Sequence, residues 1–279
     1  MGGNGGGRLG RIRAAAFGST GNSRGARDDA LVRPPRRGHR ASAAGARVLD
    51  GKDSAGGDGR IPSYDLALSS ARGCTLGSVR EFLPGIFVWP RLSERHGYDF
   101  NGTLVLHEHG NLCIDPVEPP DEVLERLAKE GVARILLTNR NHARAANRVR
   151  ERTGAATSIH PADAEYARGQ GAILDAELAI GEQVGPFRVV GVPGKSPGEI
   201  ALHDARRRLL VVGDALIGNP PGQLSLLGER VMDDPAQLRA SVRSLLELDF
   251  DAILVGDGAP IASGARERLA ELVTSFPPG

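Results

Sequence analysis

The amino-acid sequence predicts an α+β fold in which two β-sheets face each other and carry helices on their outer surfaces, an αββα four-layer sandwich. Three observations predict it. Hairpin signals come first, helices and strands then alternate, and finally three strands follow one another over 186–213. Those three strands leave no room for crossover helices, which disfavours a doubly wound parallel sheet.

The chain of 279 residues divides near residue 72 into a tail, 1–72, and a domain, 73–279. Residues 1–60 hold 15 of the 38 glycines, one Phe and neither Trp nor Tyr. Such a segment cannot bury enough apolar surface to offset its backbone entropy, so we expect the tail to be disordered. A translation start drawn too far upstream is an alternative account of these residues.

Charge separates the same two parts. Residues 1–70 carry 12 basic and 6 acidic side chains, whereas the whole chain has a net charge of only +1. The domain is therefore mildly acidic, and a nucleic-acid partner is expected only through the basic tail. No run of 18 apolar residues predicts a membrane span, and two cysteines exclude a disulfide framework. We expect a cytoplasmic protein.

Apolar runs and turn signals predict the elements of the first half of the domain. They are a strand at 81–90, a hairpin of 103–107 and 112–115, a helix at 120–130, a strand at 132–138, a helix at 142–153, a strand at 156–160 and a short helix near 162–168. His160 is expected to cap that short helix or to make a hydrogen bond within the loop, and Cys113 is expected in the core.

The second half begins with the three consecutive strands and ends in a helix–strand–helix unit. Its elements are strands at 186–192, 199–203 and 207–213, a helix at 235–247 that Asp234 can cap, a strand at 251–255 and a helix at 263–274. Asp is among the preferred N-cap residues because its carboxylate accepts from free backbone N–H groups.

Four loops that follow apolar strands combine small residues with polar ones, as loops that carry sites commonly do. They read TNRNHAR at 138–144, PGKSPG at 193–198, GDA at 213–215 and GDG at 256–258. Gly194, Ser196 and Gly198 also spell G-x-S-x-G, but a nucleophile elbow needs a helix after the serine. A strand follows here, so a tight turn is the favoured interpretation.

In their order and separation these loops resemble those of the metallo-β-lactamase fold superfamily of hydrolases, and the resemblance covers about 80–275. The corresponding family loops read T-H-x-H-x-D-H, P-G-H-T-x-G, G-D and G-H-G, and their side chains hold two metal ions, usually zinc. Asp214 matches the bridging aspartate of that family, and Asp115 matches the acid at the end of its hairpin strand.

The other metal positions are substituted. Asn139 and Asn141 stand in place of the first two histidines, Ala143 in place of the aspartate and Arg144 in place of the next histidine. Two later histidines are likewise replaced, by Lys195 and Asp257. Zinc is bound by His, Cys or carboxylate groups, and cations at these positions would repel it. We therefore expect no metal cofactor, although Asp214 and Asp257 are the candidate ligands if one is bound.

Without metals, Asp214 and Asp257 would lie unpaired in a partly buried cleft, which is energetically costly. We hypothesise that Arg144 and Lys195 pair with them, and that Asn139 and Asn141 satisfy neighbouring backbone groups. His142 and Asp214 are the weak catalytic candidates. Because His142 occupies a variable position of the motif, a role at the helix start or toward solvent is favoured for it.

Three functions stay open at this point. The leading hypothesis is a pseudoenzyme whose degenerate metal site binds a small anionic molecule or a protein partner, with Arg144 and Lys195 facing the ligand. The second is a hydrolase of esters, thioesters or lactones that holds a single weakly bound Mg²⁺ or Mn²⁺. The third is a nucleic-acid-associated protein that acts through the basic tail.

Overall fold

The computed structural model describes residues 79–277, which form two β-sheets with helices on their outer faces. The predicted disorder of the tail concerns residues that lie outside the described ones. None of the helices between 79 and 277 combines the length and apolar character that crossing a bilayer requires.

The first sheet has seven strands, arranged in the order in which they occur along the chain. They are β1 Arg80–Leu83, β2 Ile86–Ser93, β3 Tyr98–Val105, β4 Asn111–Ile114, β5 Val132–Leu137, β6 Ala156–Ile159 and β7 Ala176–Glu177. Pairing is antiparallel from β1 to β4 and parallel from β4 to β7. The parallel connections between β4, β5 and β6 pass through the helices α1 Asp121–Glu130 and α2 Ala146–Thr153.

The second sheet has five strands in the order β12-β11-β10-β9-β8. They are β8 Gln183–Val184, β9 Phe187–Gly191, β10 Ile200–Asp204, β11 Leu209–Val212 and β12 Ala252–Val255. Only β11 and β12 pair in parallel, and the helix α4 Pro235–Ser244 lies in the connection between them. The remaining helices are α3 Pro161–Gly169, which follows β6, and α5 Ala265–Thr274, which follows β12.

Alternation along the central strands produces the four layers. In β11, Leu209 and Val211 point into the apolar cluster between the sheets. Leu210 and Val212 belong instead to the cluster that contains residues of α4 and α5. A third cluster joins the outer face of the first sheet to α1, α2 and α3, and it contains the buried Cys113. Helices therefore pack on the outer face of each sheet, and the predicted αββα arrangement is confirmed. A strand that is buried on both faces, such as β11, has a continuous apolar sequence.

Both predicted helix caps are confirmed. Asp234 Oδ1 accepts a hydrogen bond from the backbone N–H of Gln237 at 2.9 Å and begins α4. His160 Nδ1 accepts from the backbone N–H of Ala162 at 3.3 Å at the start of α3. Each cap fixes where its helix begins, because it satisfies an N–H group that has no partner within the helix.

Two predicted boundaries are wrong. The run 81–90 is not one strand, because Pro84 and Gly85 form a two-residue turn that pairs Leu83 with Ile86 as a hairpin. Gly85 has φ 75°, a conformation that few other residues adopt. The helix predicted at 142–153 begins only at Ala146, because the residues before it form turns that bring polar side chains inward.

Candidate functional site

Polar side chains from both sheets meet where the central strands end. Asp115 follows β4, and Thr138 follows β5; Asp214 and Asp257 come shortly after β11 and β12. The β9–β10 loop, 193–198, reaches the same place. Strand ends of one layered fold thus bring together five segments that are separated in the sequence.

His142 lies at the centre of this group. Its side chain is 0% exposed. Its Nδ1 lies 2.8 Å from Asp115 Oδ2, and its Nε2 lies 3.0 Å from Asp214 Oδ1. The predicted role at the helix start or toward solvent is therefore wrong. The motif position that varies in the family holds the imidazole that joins the two carboxylates in this chain.

The two carboxylates favour the protonated, cationic form of the imidazole. Burial and the positive charge of Arg144 act to lower the pKa of His142, but the carboxylates of Asp115 and Asp214 outweigh them and raise it to about 10. With a proton on each nitrogen, His142 donates to a carboxylate on either side. Asp115 also accepts from the backbone N–H and the hydroxyl of Thr138, at 2.8 and 2.6 Å.

Lys195 supplies a second buried cation. Its Nζ lies 2.6 Å from Asp214 Oδ2, and the side chains of both residues are only 7% exposed. Burial acts to raise the pKa of Asp214, but His142 and Lys195 hold it well below its usual value. Nζ also donates to the side-chain oxygen of Asn141. Asn141 therefore contacts a side chain, not the backbone group that the sequence predicts for it.

Arg144 pairs with the remaining acid. Its Nη2 donates to Asp257 Oδ1 at 2.7 Å, and its guanidinium lies over the ring of Phe100, 4.2 Å from the ring centre. Burial raises the pKa of Asp257, although His142 and Arg144 act against that rise. The hypothesis that Arg144 and Lys195 pair with Asp257 and Asp214 is confirmed.

Glu199 is a buried acid that the sequence analysis missed. Its Oε1 accepts from the backbone N–H of Ala215 at 3.0 Å and from Asn139 Nδ2 at 3.3 Å, whereas Oε2 has no partner among residues 79–277. Burial, followed by the negative charge of Asp214, raises its pKa to about 8. Asn139 Oδ1 accepts from the backbone N–H of Asn141 at 2.8 Å, as predicted.

Asp163, on α3, is the second acid that was missed. One of its oxygens accepts from the backbone N–H of Arg140 at 2.8 Å and from the Ser196 hydroxyl at 2.6 Å. Its other oxygen accepts from the backbone N–H of Gly198 at 2.8 Å. Asp163 therefore ties the two site loops together. The hydroxyl of Ser196 donates to Asp163, and the segment after it is the strand β10 and not a helix. The interpretation of G-x-S-x-G as a turn is therefore confirmed.

Glycine makes room for the buried imidazole. A Cβ at Gly256 would lie 2.5 Å from Cε1 of His142, which is shorter than any real contact of this kind. The glycine of the GDG loop therefore allows the backbone after β12 to pass directly beside the histidine.

A cavity of about 240 Å³ adjoins the charged group on the side of Arg144. Its wall is formed by Asn141, Ala143, Arg144 and Asn147 together with the residues 170–172 that follow α3. The site thus has two parts, a buried charged core and a cavity beside it.

The residues present do not fit the two-metal centre that the resemblance implies. Among residues 79–277, one trio of potential ligands, His142, Asp214 and Asp257, brings its ligand atoms within 4.8 Å of one another. Each of these ligands already has a charged partner: Lys195 holds Asp214, Arg144 holds Asp257, and both nitrogens of His142 lie against carboxylates. A metal at this trio would have to displace a proton and compete with two buried cations, which a two-metal centre of His and carboxylate ligands does not face.

Comparison with known proteins gives a consistent result. The family model described as metallo-beta-lactamase superfamily matches residues 80–276. A crystal structure of TTHA1623 in a di-iron-bound form is 26% identical, with a TM-score of 0.50, and the match covers 64% of this chain and 96% of that one.

Two further matches agree with it. A metallo-beta-lactamase from Pontibacter korlensis is 14% identical with a TM-score of 0.59, over 71% of this chain and 99% of the other, and so shows the fold alone. An uncharacterized protein of Aquifex aeolicus is 26% identical over 164 residues, which are 52% of this chain and 76% of that one.

Proposed function

The chain belongs to the metallo-β-lactamase superfamily, and we propose that it is a member without a metal centre, which binds a small acidic molecule and does not hydrolyse it. Protein side chains supply the positive charge that metals supply in the family. The contact that supports this most directly is the one between Lys195 Nζ and Asp214 Oδ2, at 2.6 Å in a buried cleft.

The charges of the core balance without an added ion. Three cations, His142, Arg144 and Lys195, face three carboxylates, those of Asp115, Asp214 and Asp257. A divalent ion sharing Asp214 with Lys195 would lie about 4 Å from its ammonium. At an effective dielectric constant of about 20, that placement costs roughly 8 kcal/mol of repulsion.

The hydrolytic alternatives lack a nucleophile. The trio of potential metal ligands is occupied by charged partners, so no metal is placed to activate a water at neutral pH. Both nitrogens of His142 already contact carboxylates, which favour its protonated form, so neither nitrogen is placed to take a proton from a water or a substrate. Ser196 is bonded to an acid and not to an imidazole. Binding is therefore the activity that the site supports.

Elemental analysis of protein purified without chelator tests this proposal. We expect far less than one bound metal per chain and a melting temperature that chelator does not change. The matched variant Lys195→His places a neutral ligand beside Asp214 and is expected to take up more zinc than the parent. A stoichiometric metal in the parent, with chelator-dependent melting, would refute the proposal.

A second candidate function is a single-metal hydrolase, and the trio of His142, Asp214 and Asp257 is the observation that favours it. It requires the histidine to lose its proton and both cations to withdraw, so it predicts activity that rises at alkaline pH. Turnover of ester, thioester or lactone substrates with added Mn²⁺ or Mg²⁺, abolished by Asp214→Ala, would support this candidate over the first.

A further inference from the structure

Two side chains that line the cavity beside Arg144 have a nitrogen donor without an acceptor among residues 79–277. Nη1 of Arg144 is buried and has no partner among residues 79–277. Within the same described part of the chain, the side-chain nitrogen of Asn141 makes no hydrogen bond, because only its oxygen is used, by Lys195. Asn147 already makes two hydrogen bonds: its amide nitrogen donates to Gly171 O, and its oxygen accepts from the N–H of Ile173.

An unpartnered buried guanidinium nitrogen calls for an acceptor, because desolvating such a group without a hydrogen bond is costly. Asp257 is already bound to the other terminal nitrogen of Arg144, so the acceptor must come from outside the group. The cavity that Arg144 lines is where a ligand atom would approach it.

The arginine is fixed in place before any ligand arrives. Phe100 supports its guanidinium from one face, and Asp257 holds one end of it. Its backbone has φ 27°, which is unusual for a residue with a side chain and is a form of strain that is concentrated at functional sites. Preorganisation of this kind lowers the entropy that binding costs.

Charge and size limit the ligand. Because Asp257 already pairs with Arg144, little positive charge is left for a ligand, which disfavours a dianion and limits the ligand to at most one negative charge. At about 30 Å³ for each water-sized group, the cavity of about 240 Å³ holds roughly eight non-hydrogen atoms.

We propose that this cavity binds a small monocarboxylic acid, whose carboxylate accepts from Nη1 of Arg144 and from the side-chain nitrogen of Asn141. This inference rests on the proposed metal-free function and adds to it the place and the chemical class of the ligand.

Calorimetric titration of the full chain, in buffer containing chelator, tests the inference with hexanoate as the probe. Hexanol and inorganic phosphate serve as neutral and dianionic comparisons. Ala172→Leu fills the cavity without touching the charged core, and Arg144→Gln removes the cation. Ala240→Leu adds the same side chain at an exposed position of α4 and is the matched control.

We expect hexanoate to bind more tightly than hexanol or phosphate. Ala172→Leu and Arg144→Gln should each weaken its binding roughly tenfold or more, the effect of losing one charge-assisted hydrogen bond or its space. Ala240→Leu should leave it unchanged. The inference would be overturned if hexanoate did not bind, if Ala172→Leu bound hexanoate as tightly as the parent chain, or if phosphate or hexanol bound more tightly than hexanoate. Any of these results in metal-free protein leaves the absence of a metal centre intact, whereas a bound metal refutes the proposed function itself.

Discussion

Replacing Lys195 with methionine removes one buried cation while keeping a side chain of similar length. Removing one partner of a buried ion pair costs about 3–5 kcal/mol, because the other charge is left uncompensated. Asp214 keeps His142 as its second partner, 3.0 Å away, so the low end of that range applies. We expect Lys195→Met to reduce the free energy of unfolding by about 3 kcal/mol. For a domain of this size, that lowers the melting temperature by roughly 6–12 °C.

The assay is urea and thermal unfolding followed by tryptophan fluorescence. The chain has a single tryptophan, Trp89, which is buried in β2 and reports on the packed sheet. Arg268→Met is the matched control, because Arg268 forms an exposed ion pair with Glu271 on α5, and such pairs contribute about 1 kcal/mol or less. Equal stability losses in the two variants would refute the reasoning that the Lys195–Asp214 pair replaces a structural metal.

Three further predictions concern the groups around this pair. The pKa of Glu199 is raised to about 8 from 4.5, so its stabilising contribution is complete below pH 4.5 and is lost as the pH rises through about 8. Glu199→Gln should therefore make the free energy of unfolding less pH-dependent in this range. An unchanged dependence on pH would contradict this. Asp163→Ala removes three hydrogen bonds and should cost about 2–4 kcal/mol in urea unfolding; a loss below about 0.5 kcal/mol would show that the loops do not need this link. Gly256→Ala pushes a methyl group into His142 and should cost about 1–3 kcal/mol, whereas Gly169→Ala, with open space around it, should be neutral in the same thermal melt.

Most of the strands and helices could be predicted from local sequence patterns, because the packing of the folded protein agrees with those patterns. The run over β11 has to be apolar on both faces because it lies between two layers, and that continuous pattern identifies it as a central strand. The run 81–90 is similarly apolar, yet Pro84 and Gly85 divide it into the two strands of a hairpin. The strands β7 and β8 have two residues each, too few for any periodic signal.

The candidate site is predictable in its loops and less so in its contacts. Strand ends and charge complementarity place Lys195 and Arg144 beside acids, and the structure agrees. The role of His142 could not be predicted, because it depends on how the turns before α2 direct an imidazole between Asp115 and Asp214. Glu199 stood at the start of a predicted strand, where an acid normally faces solvent. The one available signal was its position directly after the PGKSPG loop.

Because both nitrogens of His142 contact carboxylates, the charge of this cleft responds to the pH of the solution. Here a network of hydrogen bonds and ion pairs between side chains joins the strand ends. What would undo it is alkali, which takes the proton from the imidazole and leaves two acids facing each other across a neutral ring.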